Sequence, residues 1–311
     1  MENGYTENPG NLSEILPFVI TDGRAAAAEM LERRKCFFYD ACSFRRHANL
    51  NPEEAGYLLE YINQQDGTVI LTRGILMELA SRSGVLNPEY IAYIRSMNHA
   101  GITVLVIFEE DLFELMEIAF STHAAVNRYL CWAVRTLKGP VSAISEMLER
   151  NRDVYDEVIK GMRLEQSSIY RHFFAAARAA KVSGDDLGEE LLAVCLHVLT
   201  QLPGEEDGKF CIITDDKGAA AKIDSLFKKT ARQYRGKHII LYSTPKLVQI
   251  LFREGILTEK AQIEKLLGAG TEGNIAVLGI RIFDLRSREL SMGKEALASL
   301  IMQPNGIHII F

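Results

Sequence analysis

Five short runs of apolar, aromatic and β-branched residues, separated by segments of helical periodicity, constrain this chain more than any other feature. They are CFFYDACSF (36–44), TVILT (68–72), ITVLVIF (102–108), FCIIT (210–214) and HIILY (238–242). Each is short enough and apolar enough to be a buried strand. Between them lie helical stretches with readable ends. DGRAAAAEMLERRK (22–35) has Asp22 as a cap, and NPEEAGYLLEYINQ has Asn51 as cap and Pro52 at its first helical position. RGILMELASRSG closes on Gly84, and PEYIAYIRSMNHAG ends on a second glycine. Short strands alternating with helices predict an α/β fold built on a mainly parallel sheet with crossover helices.

The alternation is interrupted once. Over 111–182 apolar residues recur at three and four with no strand-like alternation, which predicts several helices. It resumes with helix 185–201, strand FCIIT, helix DKGAAAKIDSLFKKTARQY, strand HIILY and a helix opened by Thr244-Pro245. The tail reads as IAVLGIRIFDL, a helix KEALASLIM, and IHIIF. Residues 1–17 read as a polar arm. The expected organisation is an arm and helix over 1–35, an α/β unit over 36–110 and 183–270, a helical insertion over 111–182, and an α/β extension over 271–311.

Composition narrows the classes. The 311 residues suggest one or two domains and a core that needs neither disulfide nor metal to fold. With 41 acidic and 35 basic residues the net charge is -6, which argues against coating nucleic acid by bulk charge but not against cutting it at a local site. The five cysteines are odd in number and irregularly spaced, and four of them sit in apolar runs, as buried thiols of a reduced protein would. The acidic N-terminus lacks the pattern of a signal peptide, and no apolar stretch approaches a membrane span, so a cytoplasmic location without membrane contact is expected.

Acids fall where the strands end. Asp40 interrupts FFYD, and an acid there is costly unless it lies at the strand's carboxyl end. Asp215 and Asp216 directly follow CIIT, at the sheet edge where open α/β sheets bind ligands. Glu78 lies on an apolar helical turn after TVILT, and Asp186 and Glu189 share one face of a helix start. Taken singly, Asp185, Asp186 and Glu189 also read as helix N-terminal charge, Asp215 or Asp216 as an N-cap, and Glu78 as an exposed helix residue. Taken together, such a cluster repels itself unless a cation neutralises it. Mg²⁺ or Mn²⁺ suits oxygen ligands and makes bound water nucleophilic at neutral pH.

These segments resemble the PIN-domain family. FFYDACSF is similar to its first motif, with Asp40 and Ser43, and ILTRGILMELA is similar to its second, with Glu78. DLGEELLAVCLHVL resembles the Asp-x-Gly-Glu helix of one branch, with Asp186 and Glu189. IITDDKGAAAKI resembles the last acidic motif, with Thr214, Asp215 and Asp216, and HIILYSTPKLVQILFREGILT resembles the closing strand and helix. The resemblance spans 36–110 and 183–258. It implies a three-layer parallel sandwich, here with a helical insertion, and a metal-dependent endoribonuclease acting on single-stranded RNA. It further implies that Asp40, Glu78, Glu189 and Asp215 are the catalytic acids that bind Mg²⁺ or Mn²⁺. Asp186 and Asp216 would be auxiliary ligands, with Ser43 and Thr214 orienting carboxylates or water. The insertion is longer than in small toxin-type members, and the tail after 270 has no counterpart. An RNA-selecting lid, a protein-partner surface or a homo-oligomer interface is expected there.

Cations for a phosphate backbone are present. Arg45, Arg46 and His47 follow the first acid, Lys217 follows the last, and Lys228, Lys229, Arg232, Arg235 and Lys237 form a second run. Arg171 and His172 lie on the insertion, where a packed amphipathic helix is the simpler reading. No HxxxH or HxH spacing, GxGxxG, P-loop or GxSxG motif occurs, which argues against zinc, dinucleotide, P-loop and serine-hydrolase sites. The readings that remain are a PIN-like ribonuclease, a catalytically silent PIN-like module that binds RNA or protein, and a different carboxylate–metal phosphohydrolase.

Overall fold

The structure is a computed structural model that describes residues 5–139, 142–229, 234–269, 273–282 and 284–311. Two 3-10 turns (Leu12–Glu14, Leu16–Phe18) lead into β1 (Val19–Ile20), α1 (Gly23–Glu32), β2 (Lys35–Tyr39), α2 (Ala41–Ala48), α3 (Pro52–Gln64) and β3 (Gly67–Thr72). Then come α4 (Arg73–Ala80), α5 (Pro88–His99) and β4 (Val104–Ile107). The helical run holds α6 (Glu109–Phe120), α7 (His123–Leu137), α8 (Ala143–Arg150), α9 (Arg152–Val158) and α10 (Ile169–Ala180). After it follow α11 (Leu187–Leu199), β5 (Phe210–Ile213), α12 (Lys217–Lys229), β6 (Ile240–Tyr242), α13 (Thr244–Arg253) and α14 (Lys260–Gly268). The chain ends in β7 (Ile275–Ile280), β8 (Arg288–Met292), α15 (Lys294–Met302) and β9 (His308–Ile309).

The fold is α/β, as the alternation predicts. Strands β1 to β6 form one parallel sheet in the order β1-β4-β3-β2-β5-β6. β2 has β3 on one side and β5 on the other, with Phe37 opposite both Val69 and Cys211. From β2 the chain builds outward through β3 and β4, passes through the helical run, and returns to β5 on β2's other flank. The direction of winding therefore reverses between β2 and β5. That reversal opens a crevice at the carboxyl ends of these two strands, where doubly wound sheets bind ligands.

Alternate residues along each strand enter different cores. Phe37, Tyr39, Val69, Leu71, Cys211 and Ile213 join one core with residues of α3, α4, α5, α13 and α14. Cys36, Phe38, Ile70, Leu105, Phe210 and Ile212 join the other, with α1, α11, α12 and the helices of the 109–180 run. The sheet is thus covered on both faces, and each fully buried Phe or Leu contributes roughly 1.5–3 kcal/mol. The antiparallel sheet β8-β7-β9 adds Ile275, Val277 and Ile309 to the first core.

Local chemistry accounts for the well-read ends. Asp22 accepts from Ala25 N at 2.8 Å, and Asn51 and Glu54 form a reciprocal capping box behind Pro52. Several readings change. The strand expected over 36–44 stops at Tyr39, because Ala41, Phe44 and His47 bury at helical spacing in α2. The arm read over 1–17 contains the first 3-10 turn, and just beyond it Val19–Ile20, read as no element, forms β1 and pairs with Val104 and Leu105 at the sheet edge. HIILY is a strand only over Ile240–Tyr242. RELSM, with no apolar run, forms β8 by pairing with β7. The helix expected over 216–234 is described over Lys217–Lys229, and 230–233 of that reading lie outside the described residues. No described helix is long and apolar enough to cross a membrane, and all five thiols are free, four of them buried.

Candidate functional site

Asp40 immediately follows β2. It sits at the N-cap of α2, yet its side chain makes no cap bond and is buried. Its Oδ2 instead accepts from Cys42 Sγ at 2.6 Å and from Thr214 Oγ1 at 3.0 Å. Across the crevice, Asp215 follows β5 and accepts from Ser43 Oγ at 3.1 Å. The two acids are therefore cross-braced: the helix behind Asp40 holds Asp215, and the residue before Asp215 holds Asp40. This places both acids at the winding reversal.

Asp215 is fully engaged. Thr244 N and Thr244 Oγ1 donate at 2.7 and 2.6 Å, and Arg46 Nη1 lies 3.3 Å away. Burial pushes its carboxyl up, but Arg46 and the Thr244 donors outweigh burial and hold it below the usual range, ionised. Behind Thr244 runs a buried hydrogen-bond chain. His47 Nε2 lies 2.9 Å from Thr244 Oγ1, His47 Nδ1 lies 3.0 Å from the Tyr39 hydroxyl, and Tyr39 meets Tyr93 at 3.1 Å. Burial keeps the imidazole neutral. Since the Thr244 proton goes to Asp215, Thr244 accepts from His47 Nε2–H, and Nδ1 accepts from Tyr39. His47, expected at a phosphate, is a buried support.

Glu78 and Glu189 lie near enough to Asp40 for its charge to act on both. Helix α11 approaches α4 so closely that a Cβ at Gly188 would collide with Glu78 Oε1. Burial raises the carboxyls of Asp40 and Glu78. Glu189 is pushed up to about 8, by burial first and then by the charges of Glu78 and Asp40. Its Oε2 is buried without a hydrogen-bond partner. A cation already stands here: Lys181 Nζ lies 2.9 Å from Glu78 Oε1, an ion pair without hydrogen-bond geometry, and also pairs with Asp185.

The other expected residues lie further out. Asp186 is exposed and pairs with Lys222 at 2.5 Å. Asp216 accepts from Gly218 N and Ala219 N at 2.6 and 3.1 Å, so it caps α12, although its charge still raises Asp40. Thr214 Oγ1 accepts from Asp216 N at 3.1 Å. Arg45 donates to the Glu78 carbonyl, and Arg46 also donates to Leu267 O at 3.0 Å. Lys217 is paired with Glu289 on β8. In the second basic run, Lys228 pairs with Asp224, Arg235 and Lys237 are exposed, and Arg232 lies outside the described residues. Arg171 and His172 pair with Glu114 and Glu157.

Sequence reasoning missed Lys181, Cys42 and Thr244. Lys181 ends an alanine-rich helix, and its only local signal is Asp185 four residues on. Thr244 reads as an ordinary helix start, and nothing local to it points at Asp215. Glu190, next to Glu189, is not among the candidate residues. It is buried, accepts from Ser142 Oγ and Ile144 N at 2.9 Å each, and so ties α8 to α11.

Among the described residues no three His, Cys, Asp or Glu side chains stand together as a group that could hold a metal ion. The donors nonetheless fit a hard divalent cation in kind. They are carboxylate oxygens, one of them buried and unpartnered, whose negative charge is offset by Lys181 at Glu78, by Arg45 more weakly there, and by Arg46 at Asp215. No protein-family model, no curated protein and no solved structure matches the chain.

Proposed function

We propose that the carboxylates at the winding reversal are the centre of a metal-dependent endoribonuclease of the PIN-like type. Its substrate would be single-stranded RNA, its cofactor Mg²⁺ or Mn²⁺, and its location the cytoplasm. The observation that carries this reading is the cross-bracing of Asp40 and Asp215 at the winding reversal, with the charges of Asp40 and Glu78 acting on Glu189, whose Oε2 is left unpartnered. Four such groups hold together only with a compensating charge.

Asp40, Glu78 and Glu189 would hold the ion, with Asp215 fixed beside them. The ion would supply an activated water and charge neutralisation for phosphodiester hydrolysis. The chain's own part is positioning. Ser43 and Thr244 fix the Asp215 oxygens, Thr214 and Cys42 fix Asp40, and Arg46 keeps Asp215 ionised. Glu189, raised to about 8 without an ion, would give up its proton on binding one, so ion binding would strengthen as pH rises toward 8. The helices covering the second core, 109–180, are the surface proposed for a protein partner or a second copy of the chain.

The Lys181 ion pair favours one alternative, a catalytically silent PIN-like module in which the ammonium substitutes for the ion. Cleavage of a generic single-stranded RNA with Mn²⁺ separates the two. The nuclease reading predicts Mn²⁺-dependent cutting, lost by about 100-fold or more in Asp40→Asn and Asp215→Asn proteins that melt like the parent. RNA binding without cutting in either Mg²⁺ or Mn²⁺ supports the module instead.

A further inference from the structure

The arm at the start of the chain is fastened across the two helices that bring Glu78 and Lys181 together. One end is pinned to the turn after α4. Gly10 N donates to Gly84 O at 2.7 Å, and Asn11 exchanges hydrogen bonds of 2.8 and 3.0 Å with the backbone of Leu86. Further out, Glu7 touches both helices at once. Its carbonyl accepts from Nη1 of Arg73, the first residue of α4, at 3.3 Å. Its carboxylate accepts from Nε of Arg178, in the last turn of α10, at 2.8 Å. The two guanidiniums flank one ring, 4.4 and 4.9 Å from the Phe108 centroid.

These attachments bear on the acids. Lys181 caps α10 just beyond Arg178, and its Nζ lies 2.9 Å from Glu78 Oε1 on α4. A second bridge between the helices is interior: buried Glu109 accepts from Gly74 N of α4 at 2.8 Å and from Arg178 Nη1 at 2.7 Å. Glu7 is a third bridge of a different kind. It comes from a polar arm, and its side chain is 38% exposed while that of Arg178 is 3% exposed. If Glu7 lets go, Arg178 keeps Glu109 and Glu110, so the arm can detach without stranding a buried charge.

We propose, on the strength of the metal-dependent reading above, that the arm is an autoinhibitory clip. While Glu7 spans Arg73 and Arg178 it draws the end of α10 onto α4 and keeps the Lys181 ammonium on Glu78, where it competes with a divalent ion for that carboxylate. Release of the arm lets Lys181 withdraw. Attachment of the arm and binding of the ion then oppose each other, each weakening the other by the same factor.

Mn²⁺ titrated into the full chain and followed by its electron paramagnetic resonance signal tests this without reference to cleavage. Glu7→Ala is expected to bind Mn²⁺ about threefold or more tightly than the parent, the scale of one partly exposed ion pair. The sign is informative, because loss of a distant negative charge would by itself weaken cation binding. In Lys181→Ala the competing ammonium is gone. Mn²⁺ is expected to bind that protein more tightly than the parent, and adding Glu7→Ala to it should change nothing further. Equal binding by the parent and Glu7→Ala would overturn the proposal. So would the same gain from Glu7→Ala with and without Lys181, since that marks a general loosening. If Lys181→Ala takes up no Mn²⁺, the metal reading itself fails, and the clip with it. Should a variant not melt like the parent, amide exchange at Gly10 of the parent decides: faster exchange in saturating Mn²⁺ supports the clip, and unchanged exchange overturns it.

Discussion

Asp215 and Glu189 show how far the surroundings can separate two acids, one after β5 and one on the first turn of α11. Asp215 receives Ser43, both donors of Thr244 and Arg46, so its charge is held in place. Glu189 has a buried oxygen with no donor and two like charges nearby. The consequence for stability has a definite sign. A carboxyl near 8 in the folded protein and about 4.3 in the unfolded chain keeps a proton on folding between those values. Its contribution is present below about 4.3 and is lost as pH rises through 8. In EDTA, Glu189→Gln should therefore gain stability relative to the parent between pH 5 and pH 9, by roughly 3 kcal/mol after allowing for solvent at its exposed edge. Urea unfolding at the two pH values measures it, and a pH-independent difference would contradict the assignment. Thr244 carries a second expectation. Thr244→Val removes the donor to Asp215 and strands His47 Nε2–H, so it should cost about 2 kcal/mol and lower cleavage about tenfold, while Thr244→Ser retains both. Equal cleavage rates in the three proteins would mean that the Tyr93–Tyr39–His47–Thr244 chain has no bearing on the site.

Elements, not single side chains, bring the acids together, and the contact of α11 with α4 is the tightest instance. Gly188 lets the Glu189 turn lie against Glu78, so Gly188→Ala should displace the Glu78 carboxylate. Cleavage is expected to fall by tenfold or more, whereas the alanine itself favours the helix by up to about 1 kcal/mol. Rate and melting temperature measured on the one protein separate the effects; an unchanged rate would mean that Glu78 is not engaged. At this scale β2 to β5 were legible because both faces of each are largely buried, while β6, at the sheet edge and only partly buried, forms over fewer residues than its apolar run. β1 and β8 were not legible. Two residues of β1 and the largely exposed RELSM have no run or alternation of their own, and they become strands through pairing with β4 and β7. The start of α2 was hidden for a related reason: Ala41, Phe44 and His47 extend the apolar character of β2 while changing its period from two to three. Asp40 and Asp215 were legible because strand ends mark them, whereas Ser43 and Thr214 were singled out only by the motif resemblance. Lys181 was not, since a lysine at the end of an alanine-rich helix carries no sign of the acids it will face.

Across the whole molecule, the order β4-β3-β2-β5-β6 places the reversal of winding between β2 and β5, and the acids gather where that reversal opens the sheet. The helices of 109–180 close the second face and deliver Lys181 from their last turn to Glu78. The site as it stands is therefore neutralised by an ammonium, and the proposed function requires that a divalent ion enter beside it or replace it. Anomalous diffraction from crystals soaked in Mn²⁺ tests this most directly. The account predicts a manganese peak at the carboxyl ends of β2 and β5, coordinated by Asp40 and by Glu78 or Glu189, with Lys181 Nζ withdrawn from Glu78. A crevice without manganese at saturating concentration, with the Lys181–Glu78 pair intact, would contradict it.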